Sequence, residues 1–320
     1  MSYNTSALPI YVEQNRFPLL TKSILGAKTA TLVTKQNGVK GQASLNILDE
    51  DCVFIPGGCG FTASGSSTLS QRTITTGYFQ VNKKWCPSDL DNTYAQTQLQ
   101  PGSYIDQIPF EQTFSELQSK YVARELEIAL WQGDKTSATN NLSFFDGYLK
   151  VISGSGAQPV STGGYVTGSY HLSSSTDSTV YSGSNIANVL QGVYNAIPNQ
   201  IKDAEDLVIF VGRDTLTAYQ NYLFNANLFH YAAESTNGEI KLFPYGTRLI
   251  AVNGLNGVAK VPIVAGRLSN FFYGLDLEDD LVNYEMFWAQ EAQEMRFILR
   301  TKAGVQIAFP QEITYWYNGQ

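Results

Sequence analysis

Residues 109 to 133, PFEQTFSELQSKYVARELEIALWQG, constrain the fold more than any other stretch. Pro109 suits the first turn of a helix, Glu111 lies near its positive end and Gly133 stops it. Phe110, Phe114, Leu117 and Tyr121 make one apolar stripe, which Val122, Leu126 and Leu130 continue. Glu116, Glu125 and Glu127 are expected on the wet face, since no partner carboxylate across a cleft points to acid/base work. At about 1.5 Å per residue this helix is roughly 36 Å long, long for a domain from a chain of 320 residues.

The rest of the chain is ordered around that helix. Residues 1 to 25 contain Pro9 and Pro18 and little periodicity, so they predict an extended arm that is ordered only by lying on something. Thr29 to Val33, Ala43 to Leu48 and Cys52 to Ile55 look like strands. The Gly/Ser/Thr-rich centre of PGGCGFTASGSSTLSQRTITTGYFQV then predicts a long two-stranded excursion with a flexible tip, a hairpin that alone is marginally stable and so leans on a neighbour. After the helix, a polar stretch from Ser153 predicts surface loops or a weak β excursion. NIANVLQGVYNAIP and RDTLTAYQNYLFNANLF have helical spacing, and DLVIFVG, RLIAVNGL and KVPIVAG are strands, so the middle region predicts an α/β lobe. RFILRTKAGVQIAFPQEITYW, residues 296 to 316, predicts a terminal hairpin around a tight turn, with Met295, Phe297 and Leu299 on one face and Arg296, Ile298 and Arg300 on the other.

Composition narrows the function. Charged residues are 15%, below the roughly 25% usual for soluble domains, while Tyr (19) and Phe (17) are abundant. A neutral, Tyr-rich surface suits contact with other protein. A formal charge of −7 argues against a protein whose main task is gripping phosphates. The charge is uneven: residues 1 to 40 hold Arg16, Lys22, Lys28, Lys35 and Lys40 against Glu13 alone, and Asp276, Glu278, Asp279, Asp280, Glu285, Glu291 and Glu294 face no base between Leu268 and Met295. Such a basic arm and acidic patch can meet across a subunit boundary. No run of about 18 apolar residues marks a membrane span, and the polar start is no signal peptide, so the chain is expected to be made in a cytoplasm.

Motifs for chemistry are missing. Cys52, Cys59 and Cys86 have no CxxC spacing and lie far from His171 and His230, so buried free thiols are expected and no zinc site. GCGFTA has the glycine spacing of a dinucleotide loop, but SGSSTLSQ follows it where a helix is required. DLEDD lacks EF-hand spacing and its turn glycine, and reads as a solvated loop. No phosphate loop, GxSxG elbow, HExxH pair or kinase signature is present, so no catalytic residue, cofactor or metal is expected.

The order arm, long hairpin, long helix, α/β lobe and terminal strand pair resembles the major capsid proteins of tailed bacteriophages, the Hong Kong 97-type fold. FDGYLKVI, DLVIFVG, NLFHY, AVNGLNG, VAGRLSNFFYGLDLEDD and GVQIAFPQEI look like landmarks of such capsid sequences in their expected order. The resemblance covers nearly the whole chain, and the series carries it. It implies an α+β chain with an N-terminal arm (1–30), an extended-loop region (31–100, the loop itself about 42–82), a peripheral domain with a spine helix (101–150 and 266–320) and an axial domain (151–265). It further implies a shell of pentamers and hexamers around double-stranded DNA, with separate scaffolding, portal and decoration proteins, and no membrane. The founding member joins subunits through a loop lysine and a neighbour's asparagine. Here the tip from Gly57 to Gly77 has Arg72 and no lysine, so that link is not expected. Arg16, Lys22, Lys28, Arg72, Asp276, Glu278, Asp279 and Asp280 are the candidate intersubunit contacts. The alternatives are an encapsulin-like compartment shell, and a β-rich adhesin or carbohydrate-active protein.

Overall fold

The computed structural model describes residues 28–57, 59, 64–85, 110–139, 141–154, 158–159, 181, 185–228, 238–258, 261–276, 283–292 and 294–317. In chain order the elements are α1 (Lys28–Leu32), β1 (Thr34–Gln36), β2 (Gln42–Glu50), β3 (Ser67–Thr75), β4 (Gly77–Trp85), α2 (Phe110–Gln132), α3 (Tyr148–Gly154), β5 (Gln158–Pro159), α4 (Ile186–Ala196), β6 (Leu207–Val211), α5 (Arg213–Asn225), β7 (Glu239–Lys241), β8 (Arg248–Ala251), β9 (Ile263–Arg267), β10 (Phe271–Leu275), β11 (Asn283–Ala289), β12 (Glu294–Ile307) and β13 (Thr314–Trp316).

One sheet is built on β12. Its first half pairs with β11 on one edge and β4 on the other, and its second half pairs with β10, which carries β1 in parallel. Phe297 and Leu299 are buried while Arg300 is exposed, the alternation expected of one covered face. A tight turn within residues 296 to 316 forms at Pro310–Glu312, but the strands on its two sides do not pair with each other as the expected hairpin. TKAG continues as strand, because Ala303 is paired with Gly77 on one side and Leu275 on the other. The chain then crosses to a second sheet of six strands, in the order β5-β13-β9-β6-β8-β7, so its last strand pairs there with Ile263–Ala265.

The second sheet explains the apolar run LVIFV. Val208 and Phe210 face a core shared with α2, α3 and the first sheet, while Leu207, Ile209 and Val211 face a second core under α4 and α5. A strand covered on both faces loses its polar alternation. At the centre of the first core Trp131 lies 5.1 Å from Phe210 and 5.3 Å from Tyr148, centroid to centroid, and Phe271 packs on both partners. The end of the long helix is thereby locked to both sheets.

Four further expectations change. Thr29 to Val33 is not a strand: Lys28–Leu32 is a helical turn, buried at Thr29 and Ala30. Cys52 to Ile55 is not a strand, and Cys52 and Cys59 are exposed, not buried. Glu127 is not on the wet face of α2 but only 3% exposed.

Candidate assembly surface

The most exposed element is the hairpin of β2 and β3, registered from Gln42 opposite Thr75 to Glu50 opposite Ser67. Its base is anchored. Ile47 and Ile74 are buried, and the Gln306 side-chain amide donates to the Thr73 carbonyl at 2.6 Å. Beyond that base every described residue from Leu48 to Gln71 is exposed, including the cross-strand pair Leu48 and Leu69. The neck closes through the Asp51 N–H, which donates to the Ser66 carbonyl at 2.9 Å. Gly65 (φ 82°) makes that closure possible, since a Cβ there would overlap the Asp51 carbonyl oxygen. On the tip Val53, Phe54 and Ile55 stand in water, Phe54 at 94% exposure. Three adjacent exposed apolar side chains on a projecting hairpin are a candidate contact surface.

A second feature is a cleft of about 560 Å³ between β4 and α2. Val81, Val122, Leu126 and Phe145 form its floor, and Phe79, Phe144 and Tyr121 its aromatic wall. Phe79 and Phe144 lie 5.6 Å apart, and Arg124 covers the Tyr121 ring at 5.1 Å while it donates to Glu125. Sequence reasoning missed the cleft because its walls come from three separate segments, around Phe79, Tyr121 and Phe144.

The expected contact residues fall into separate environments. Arg72 is on β3 opposite Leu45, and burial pushes its guanidinium below the ordinary value. Lys28 is beside Glu239 at 3.7 Å, within its own chain. Asp276 accepts from Lys302 at 2.7 Å, and Glu294 is held by Arg296 and Lys84, chiefly the Arg296 hydrogen bond, which keeps its carboxyl below the usual range. These acids therefore have partners inside the chain. Arg16, Lys22, Glu278, Asp279 and Asp280 lie outside the described residues, as does Cys86.

Glu127 instead organises the first described residues of the chain, in α1. The Thr29 N–H donates to both carboxylate oxygens, at 3.0 and 3.2 Å, the Thr29 hydroxyl bonds Oε1, and Trp131 Nε1 donates to the Thr29 oxygen at 2.7 Å. Burial pushes the Glu127 carboxyl up; the two Thr29 bonds and the Lys28 charge oppose it without prevailing. Among the described residues no group of three or more His, Cys, Asp or Glu is placed to hold a metal, and no helix is long and apolar enough to cross a membrane.

No family model and no curated protein matches the chain. Solved structures do. A chain of the satellite phage P4 procapsid, whose structure includes the size determination (Sid) protein, superposes with TM-score 0.60 at 12% identity over 94% of this chain and 98% of its own. The capsid of the native GTA particle matches with TM-score 0.59 at 12% identity, over 92% and 91%. The capsid of Myoviridae phage XM1 matches with TM-score 0.55 at 12% identity, over 90% of each chain. The chain thus has the α+β fold of these phage capsid structures, the Hong Kong 97 type.

Proposed function

We propose that this chain is a major capsid protein, many copies of which tile an icosahedral shell around double-stranded DNA. The observation that carries the reading is the shared fold, which spans at least nine-tenths of both chains in each comparison above. The projecting hairpin supports it, because Val53, Phe54 and Ile55 at its tip are exposed. Pentamers and hexamers are the building units. Scaffolding, portal and decoration proteins are separate partners. The protein is made in the host cytoplasm and ends in the virion, and it turns over no substrate. The division into arm (1–30), loop region (31–100), peripheral domain (101–150 and 266–320) and axial domain (151–265) belongs to the same proposal, with Thr314–Trp316 joining the sheet of the axial domain.

Electron microscopy of the purified protein tests this. The expected result is closed, uniform particles, which contain nuclease-protected DNA when recovered from lysed host cells. A monomer or small oligomer on size-exclusion chromatography, at every ionic strength tried, refutes it. Particles that hold protein cargo and no nucleic acid favour an encapsulin-like compartment instead.

A further inference from the structure

Resting on the shell reading, we propose that the sheet edge at β7, with Lys28, Arg213, Lys241 and Arg248, is a contact site for the phosphodiester backbone of the enclosed duplex DNA, without regard to its base sequence.

Local pairing puts these cations together. β7 is the end strand of the second sheet. Ile240 turns into the core under α4 and α5, so Glu239 and Lys241 share the opposite face. Arg248 lies directly across from Lys241 in the register of β7 on β8, which puts it on that face too. Lys28 reaches the same place from α1, its Nζ 3.7 Å from one Glu239 oxygen, and Arg248 donates to the other at 2.9 Å. Arg213, the first residue of α5, lays its guanidinium against Gly238, where a Cβ would stand 2.6 Å from Nη1.

Charge at this edge is out of balance. Glu239 alone serves both Lys28 and Arg248, and among the described residues Arg213 and Lys241 have no ion-pair partner. Asp214, also exposed, is in the first turn of α5, where the helix dipole already favours an acid. Burial, the largest cause, lowers the Lys28 ammonium; Glu239 opposes that fall and the Arg213 charge adds to it. Like charges directly opposite each other, as Lys241 and Arg248 are, cost a sheet stability. An anion from outside the chain relieves that repulsion.

Phosphate suits the groups present. An arginine fork takes two oxygens of one phosphate, and lysine supplies a point charge. Elsewhere the chain is acidic, with 28 Asp and Glu against 21 Lys and Arg in all, so a polyanion is repelled by the rest of the surface and drawn to this edge. One such patch holds DNA weakly, but a shell presents it in every copy, and linked weak contacts add up along one duplex.

The test measures binding of a short fluorescent duplex to the full-length subunit by anisotropy, from low to physiological salt. Each phosphate contact contributes about 0.9 to the slope of log affinity against log salt, so Arg213→Gln with Lys241→Gln is expected to flatten the wild-type slope by about 1.8. Arg213→Lys with Lys241→Arg is expected to retain it. Lys40→Gln with Lys135→Gln, at exposed bases elsewhere, is expected to leave it unchanged. Urea unfolding checks that each variant is folded, and electron microscopy that it assembles. Wild type that fails to bind at low salt, a Gln pair with the wild-type slope, or equal flattening by the control pair overturns the site. A Gln pair that keeps the wild-type slope and loses its particles assigns this edge to contact between subunits instead. Wild-type protein that binds the duplex yet forms no particles overturns the shell reading and leaves the phosphate site standing.

Discussion

Glu127→Gln tests the buried latch directly. The side chain is 3% exposed and takes both the N–H and the hydroxyl of Thr29, whose oxygen also accepts from Trp131. Each of the two Thr29 donors left without an acceptor costs about 1–3 kcal/mol, so Glu127→Ala, which leaves both, is expected to destabilise the unassembled subunit by about 2–6 kcal/mol at acid pH. Gln keeps a carbonyl for the Thr29 N–H and an amide that can donate to the Thr29 oxygen, and so imitates the protonated acid. Desolvation raises the folded-state pKa of Glu127 above its ordinary 4.5. The neutral form therefore contributes stability that is fully present below 4.5 and is lost as pH climbs through the raised folded value. Urea unfolding across that window should show wild type losing stability relative to Glu127→Gln as pH rises, with the two within about 1 kcal/mol near pH 4.5. If the difference between them stays constant with pH, or moves in wild type's favour, the carboxyl is not desolvated as the geometry requires and the reasoning fails.

Three other outcomes are expected. Gly254→Ala should cost about 1–3 kcal/mol in urea unfolding, because its Cβ would overlap Trp131 Cδ1 and the Glu127 carbonyl oxygen, where α2 meets the turn at Asn253–Leu255; an unchanged midpoint would contradict this. Removing residues 48–69 and closing the hairpin with a short turn should abolish particles in electron micrographs while leaving the unfolding midpoint of the subunit close to wild type, since every described residue removed is exposed. Reversing Arg16 and Lys22 to Glu should lower particle yield most at low salt, where repulsion is least screened; each exposed pair is worth only about 0–1 kcal/mol, and yields that do not change with ionic strength would assign the arm to apolar packing.

Where local periodicity meets a matching environment, the sequence by itself determined the result. The apolar stripe and stop glycine placed the long helix to within a residue of Phe110–Gln132, and LVIFV announced a strand covered on both faces. The order of these parts already resembled a phage capsid chain. Long-range contacts decided the rest. KTATL has β-branched residues that suggest a strand, yet it turns as a helix and offers its Thr29 N–H to Glu127, which lies 98 positions away. RFILRTKAGVQIAFPQEITYW reads as a hairpin, yet its last strand pairs with β9 in the other sheet and not with β12. Glu127 looks like any solvated helix acid until the turn at Gly254 and the first residues of α1 close over it. The cleft between β4 and α2 has no local signature at all, because Phe79, Tyr121 and Phe144 belong to three segments that only the packing of α2 on β4 brings together. Periodicity records how a segment meets its own core, whereas partners distant in the chain leave no trace in its spacing, and those are what tertiary structure supplies.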